Sequence, residues 1–382
     1  MKKEEKIGLV EQAYVEAIDV LKRCATPHGF HAAYPGYDAV WSRDSMITSL
    51  GASLLGKKFK ESFKSSIVNL ADHQSKKGQI PNAVDIFSKE RKPHVDYMSI
   101  DSSLWFIIGE YLFKARYKDN SLMSKHEKNI SKAFNWINYQ DSGEDGMPEQ
   151  QPTSDWFDAF PHRYGHTINT QALYYKALLM AGKEKEAGIL KHIVNHNEDK
   201  GLWNGEFYYS WRWKNHNNYQ EHSEFFDSLG NLMAIVYGLA EHDQAESILE
   251  HIKRYKIAQP YPIKTIYPPI HRYSKEWYSY FSDCEAGQAY HYSNAGIWTY
   301  IGGFYVLALL KQKKFEEARE QLDKLAEANL KIPYFTEWLH GRTGRVGGAN
   351  IRHSMAKEGN QAWNAGMYIL AYESVKRKRV LI

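Results

Sequence analysis

Cysteine is nearly missing: Cys24 and Cys284 are the two in 382 residues. Two thiols so far apart exclude a disulfide framework. No Cys-x-x-Cys pair is present to build a structural zinc site. Long apolar runs are also missing, and none approaches the roughly 20 residues that a membrane span requires. Charge of one sign is not in excess: 49 Lys and Arg against 45 Asp and Glu leave a net +4. A nucleic-acid binder usually carries a basic stripe, whereas the one basic cluster here is Lys376–Arg379 at the end of the chain. Gly-rich phosphate loops, a Gly-x-Ser-x-Gly elbow and a His-Glu-x-x-His pair do not occur. The opening MKKEEKIGLVEQAYVEAIDVLKRC has no uninterrupted apolar stretch and reads as a helix, not a signal peptide. With free thiols, these absences point to the cytoplasm, with no nucleic acid and no membrane as partner.

Aromatic residues are abundant, with 27 Tyr, 16 Phe and 11 Trp. Many stand in polar company, as in WNGEFYYSWRW at 203–213, EWYSYF at 276–281 and YHYSNAGIW at 290–298. Core aromatics usually fall at helical spacing among aliphatic residues, whereas clusters beside Asn, His and acidic groups suit a wet pocket. Sugar rings present apolar C–H faces to aromatic rings while their hydroxyls seek carboxylates, amides and Arg. These clusters read as the lining of such a pocket or as ordinary packing.

Hydrophobic periodicity is helical almost throughout. It predicts helices near 3–25, 42–57, 60–76, 100–118, 123–140, 165–182, 184–196, 224–239, 242–255, 291–311, 314–329 and 357–376. They alternate between mostly apolar and amphipathic, as inner and outer helices of two concentric rings should. Six such hairpins make an all-α, (α/α)6 barrel, read here as one catalytic domain over 1–382. Loops at 77–99, 141–164, 197–223, 256–290 and 330–356 are long and should share one rim, where functional residues concentrate. The stretch 206–213 reads as one arm of a small hairpin.

Four stretches carry chemistry. Trp41-Ser42-Arg43-Asp44 enters an apolar helix, with Asp44 where the helix dipole favours a carboxylate. Asp101 begins another, one turn before Trp105. The stretch from Ser154 to His166 packs Asp155, Asp158, His162, Arg163 and His166 among Trp156, Phe157 and Phe160. Desolvation there would raise a carboxyl pKa, as a general acid needs. Finally, Glu337 lies between aromatics, just before Trp338. Glycoside hydrolysis needs two carboxyls across a pocket, and Asp158 and Glu337 come from loops that a barrel can bring to one rim. Asp158 is expected to be the less solvated of the two. Glu337 is expected to stay ionised beside a cation such as Arg342 or Arg352. His162 and His166 have the spacing of a metal pair only if helical, which Pro161 opposes, so no metal or cofactor is expected.

WSRD, IDSSLW, SDWFDAFPHRYGHTINTQALYY, FDSLGNLMAIVYGLA, YHYSNAGIWTYIGGFYV and FTEWLHGRTGR…QAWNAGMY occur in one order across about 340 residues. This order resembles the (α/α)6-barrel glycoside hydrolases related to alkaline/neutral invertases and to the amylo-α-1,6-glucosidase domain of glycogen debranching enzymes. The resemblance implies Asp158 as general acid and Glu337 as general base of an inverting, exo-acting hydrolase. Sucrose or a short α-glucan such as an α-1,6 stub is the implied substrate. The sugar would be held by Trp41, Arg43, Asp44, Asp101 and Trp105. Trp156, His162, Arg163 and Gln171 would join them from the middle of the chain, and His291, Asn294, Trp298, Trp338 and Trp363 from its last third. Two other readings stay open: a sugar epimerase or isomerase with paired His bases, and a non-catalytic carbohydrate-binding protein.

Overall fold

The computed structural model describes residues 8–37, 39–85, 94–158, 162–215, 219–283, 285–347 and 360–382. Twelve α-helices lie among them: α1 (Leu9–Cys24), α2 (Ser42–Ala52), α3 (Lys60–Asp72), α4 (Asp101–Tyr117), α5 (Ser121–Asn138) and α6 (Ile168–Met180), then α7 (Glu184–His196), α8 (Ser228–Tyr237), α9 (His242–Arg254), α10 (Thr299–Lys311), α11 (Phe315–Asn329) and α12 (Ala362–Lys376). Among the described residues, no helix is long and apolar enough to cross a membrane.

The even-numbered helices close a ring. α2 packs on α4, α4 on α6, α6 on α8, α8 on α10, α10 on α12, and α12 returns to α2. Odd-numbered helices lie outside: α3 rests on α2 and α4, α5 on α4, α7 on α6, and α11 on α10 and α12. This is the (α/α)6 barrel that the alternation of helix types predicts. An inner helix is touched on every side, so α8 (SLGNLMAIVY) buries all its residues. Each of its large aliphatic side chains contributes about 1.5–3 kcal/mol by leaving water. The outer α9 buries an apolar stripe of Ala245, Ile248, Leu249 and Ile252 and leaves charges facing out.

α2 is the exception in composition. It is rich in serine yet wholly buried. Its serine hydroxyls are satisfied by carbonyls: Ser49 Oγ donates to Ser45 O at 2.7 Å, and Ser42 Oγ to Ser102 O at 3.0 Å. Small residues also let α2 and α12 meet backbone to backbone. A Cβ on Gly51 would stand 1.8 Å from the carbonyl oxygen of Gly366.

Three inner helices begin later than periodicity predicts, whereas α2 starts at the predicted Ser42. α6 starts at Ile168, α8 at Ser228 and α10 at Thr299. The residues before them are committed to short antiparallel pairings. His166–Thr167 pairs with Trp211–Arg212, and Phe226–Asp227 with Ile266–Tyr267. Ile297 bridges Lys264 and Leu339. The predicted hairpin arm also shifts along the chain, to Trp211–Asn215 against Tyr219–His222. Side-chain caps close two of these entries: Thr167 accepts from Thr170 N, and Asp227 from Gly230 N.

Every long connection runs from an outer helix to the next inner one, so all of them emerge where the even-numbered helices start. A sixth connection, between α1 and α2, belongs to the same rim. Turns from inner to outer helices are short, as between α8 and α9. The start predicted for α12 at 357 falls outside the described residues.

Candidate active site

A cavity of about 70 Å³ opens at that rim, with room for several waters. It is lined by Ala32 and Tyr37 from the α1–α2 connection and by Trp41, Arg43 and Asp44 at the start of α2. Trp156 and Asp158 come from the loop before α6, Tyr292 and Trp298 from the approach to α10, and Glu337, Gln361 and Trp363 from the approach to and first turn of α12.

Its walls are aromatic. Trp298 meets Trp363 edge-on at 5.6 Å and Trp156 at 6.0 Å, while Tyr300 stacks on Trp363 at 4.2 Å behind the wall. The indole N–H groups of Trp41, Trp156 and Trp363 and the amide nitrogen of Gln361 have no partner among the described residues. Buried donors left so are costly and are suited to sugar oxygens.

Arg43 forms the polar floor. Its Nη1 donates to both Asp101 oxygens at 3.2 Å, and its Nε lies 4.0 Å from Asp44. Burial opposes the guanidinium charge, but Asp101, Asp44 and Asp158 outweigh it and raise the Arg43 pKa. Burial likewise raises Asp101 against the pull of Arg43. Asp44 is pushed up to about 6 by burial, with Asp101 and Asp158 adding to it and Arg43 opposing.

Glu337 is 5% exposed and accepts a hydrogen bond from Tyr37 Oη at 3.0 Å. Burial, and then the Glu337 charge, holds the Tyr37 phenol well above its usual pKa. Tyr292 is raised in the same way, by burial and then by Asp158 and Glu337. Each phenol thus feels both carboxyls.

Solvation of the two carboxyls is the reverse of the expectation: Asp158 is exposed and Glu337 is the buried one. Trp156 and Phe157 turn into the core at 5% and 1% exposure. The next residue in this turn is thereby left at the mouth. Arg342 is exposed, and Arg352 lies outside the described residues, as do Phe160 and Pro161.

Eight of the sequence-predicted residues line the cavity: Trp41, Arg43, Asp44, Trp156, Asp158, Trp298, Glu337 and Trp363. The others lie elsewhere. Asp101 stands behind Arg43, and Trp105 is packed in the core. Arg163 is buried in ion pairs with Asp155 and, at 2.8 Å, Asp227. His162 stacks on Tyr278 at 4.0 Å and hydrogen-bonds its hydroxyl at 2.9 Å. Gln171 donates to Pro148 O, and Asn294 pins the backbone of Ile270 and Ala286. His291 and Trp338 pack on each other at 5.3 Å. His162 and His166 do not share a helix face, since α6 starts after both.

Tyr37, Tyr292 and Gln361 were not predicted. Tyr37 lies four residues before the Trp-Ser-Arg-Asp stretch, while Tyr292 and Gln361 belong to the Tyr-His-Tyr and Gln-Ala-Trp-Asn stretches themselves. Membership of, or closeness to, such a stretch was the signal available.

Residues 15–370 match the family model described as amylo-alpha-1,6-glucosidase. The chain is 33% identical over 134 residues to neutral/alkaline invertase 1, mitochondrial, of Oryza sativa subsp. japonica, covering 34% of this chain and 21% of that protein. It is 29% identical over 146 residues to probable alkaline/neutral invertase D of Arabidopsis thaliana, covering 38% and 26%. The chain therefore matches only about a quarter of the length of these relatives. Among solved structures, it resembles the GH63 mannosylglycerate hydrolase of Thermus thermophilus in complex with glucose. The TM-score is 0.70 at 13% identity, covering 94% of this chain and 99% of that one. It also resembles the rhamnosidase of Klebsiella oxytoca with rhamnose bound, with a TM-score of 0.66 at 12% identity, covering 98% and 65%. At these identities the structural likeness is one of fold.

Proposed function

Because the chain belongs to the amylo-alpha-1,6-glucosidase family, a family of glycoside hydrolases, we propose that it is an exo-acting enzyme that releases one monosaccharide from a small glucoside with inversion. The observation that carries this is the meeting of Asp158 and Glu337 in one aromatic-walled cavity at the barrel rim. The described helices would then form one catalytic barrel.

In the proposed reaction Glu337 takes a proton from a water as its oxygen bonds to the anomeric carbon. The glycosidic C–O bond breaks, and Asp158 gives its proton to the leaving oxygen. Water is consumed, and the sugar and the alcohol are each released with a hydroxyl. Asp158 is exposed in the free protein. A bound aglycone covers it, strips its water and raises its pKa toward that of a proton donor. The buried Glu337 is held by Tyr37. Arg43, Asp44 and the indoles hold the terminal sugar, and the small cavity suits a single sugar unit at a chain end.

The epimerase reading needs paired His bases. Among the described residues, the cavity is lined by three carboxylates and no His, which favours hydrolysis. A purely binding role predicts affinity without turnover.

The test is a hydrolysis screen of sucrose, trehalose, maltose, isomaltose, panose and kojibiose with the purified protein. A monosaccharide should appear from at least one, and kcat should fall by about 10²–10⁴-fold in Asp158→Asn and Glu337→Gln. Substantial activity in either variant, or mid-sized fragments from a long glucan early in a time course, would overturn the reading.

A further inference from the structure

Two aromatic stretches that stand out in the sequence, 203–213 and 276–281, take no part in lining the cavity. The loop before α6 joins them. Tyr164 stacks on Trp211 at 4.9 Å, and His162 meets Tyr164 and Trp211 edge-on at 5.4 and 5.7 Å. His162 stacks in turn on Tyr278 at 4.0 Å, and Tyr278 lies parallel to Tyr280 at 5.4 Å. The hydroxyls of Tyr278 and Tyr280 stand 2.9 Å and 3.4 Å from the two imidazole nitrogens. Five rings from three rim connections therefore form one row. It begins in the core at Trp211 and ends in solvent at Tyr280, which is 40% exposed.

The row lies beside the cavity. Trp156 of the cavity wall packs on Phe157 at 4.2 Å, and the Arg163 guanidinium sits over the Phe157 ring at 4.7 Å. Phe157 and Arg163, in contact, anchor Asp158 on one side and His162 on the other, and four residue steps span at most about 14 Å. The connection from α9 to α10 carries Tyr278 and Tyr280 and then Tyr292 and Trp298 of the cavity wall. In the proposed reaction Asp158 protonates the oxygen that joins the two halves of the substrate. It marks the border between the sugar in the cavity and the leaving group. The surface that continues outward from Asp158 is the one a leaving group meets.

The chemistry of the row selects its occupant. Flat rings offer their faces to axial C–H bonds, and their hydroxyls form a polar fringe. The Glu221 carboxylate joins this fringe: it accepts the Tyr164 hydroxyl, and its charge reaches His162 and Tyr278. A nucleotide base would also stack, but its phosphate would meet that carboxylate. Lys275 and Arg272 flank the stretch but are turned to other partners, Glu224 at 2.6 Å and the Trp277 ring at 5.9 Å. A neutral sugar suits the row, and a pyranose chair offers a broader apolar face than a puckered furanose.

We propose that the Tyr278–Tyr280 end of this row is a second sugar site, which takes a pyranose leaving group by stacking on Tyr280 while the terminal sugar occupies the cavity. This rests on the reading of Asp158 as the acid.

The experiment titrates glucose, maltose, isomaltose and sucrose calorimetrically into Asp158→Asn, and into the same protein with Tyr280→Ala added. Thermal melting checks that the fold survives. Maltose or isomaltose should bind more tightly than glucose. Tyr280→Ala should weaken that disaccharide about three- to tenfold and move glucose and sucrose less than twofold, whereas Tyr280→Phe, which keeps the ring, should hold the affinity. Disaccharide affinity that is unchanged in Tyr280→Ala, or glucose affinity that falls equally, would overturn the second site and leave the hydrolase reading standing. Binding that depends on Tyr280 in a protein whose unaltered form hydrolyses none of these sugars would overturn the hydrolase reading alone. Absence of binding by all four would overturn both.

Discussion

Asp44 carries a cost that its proposed role in holding a sugar would explain. Burial lifts its carboxyl from 3.8 to about 6 even with Arg43 beside it. Between those values the folded protein holds a proton that the unfolded chain has released. Stability is therefore greatest below about pH 4 for this group and falls as pH rises through about 6. The shift corresponds to about 3 kcal/mol at neutral pH. Asp44→Asn should remove this penalty. The stability difference, variant minus parent, should grow by up to that amount between pH 4 and pH 7 in urea titrations. A difference that stays flat with pH would contradict it. The same variant should lose sugar affinity, as expected where a site is kept at the expense of stability. Asp44 and Arg43 were legible because a carboxylate and an Arg open a helix that is otherwise free of charge. The solvation of Asp158 was not, because composition does not say which residues of a turn face inward.

Between elements, Arg163 shows where the sequence misleads. A cation among aromatics in the loop before α6 looks like a sugar contact. Its guanidinium instead ties that loop to the α8 N-cap, through Asp155 and Asp227, and also donates to Ser210 at 3.0 Å. Asp227 is 64 residues downstream, so local pattern could not reveal the pairing. Removing the cation leaves two buried carboxylates unpaired, a loss of about 3–5 kcal/mol. Arg163→Ala should lower the midpoint of chemical denaturation accordingly, while the KM of the protein that remains folded changes little. A variant of normal stability with a large KM defect would return Arg163 to the sugar site. Helix starts were misplaced for a related reason. Periodicity continues smoothly into residues such as His166 and Phe226, but strand partners from other loops claim them.

On the scale of the whole molecule, the alternation of apolar and amphipathic helices was enough to reveal two rings, because burial on all sides or on one side writes itself into composition. It also separated short turns from long rim loops. The closure of α12 on α2 was not legible. It depends on glycine contacts and on bonds between residues at the two ends of the chain, and those bonds carry Tyr37 to Glu337. Architecture and chemistry meet in the stereochemistry of hydrolysis. An inverting pair stands about 6.5–9.5 Å apart, with a water between, whereas a retaining pair stands about 5–5.5 Å apart. Proton NMR of the first sugar released, recorded before mutarotation, reads this directly. Inversion by Asp158 and Glu337 predicts the anomer opposite to that of the substrate. Release of the same anomer would contradict it.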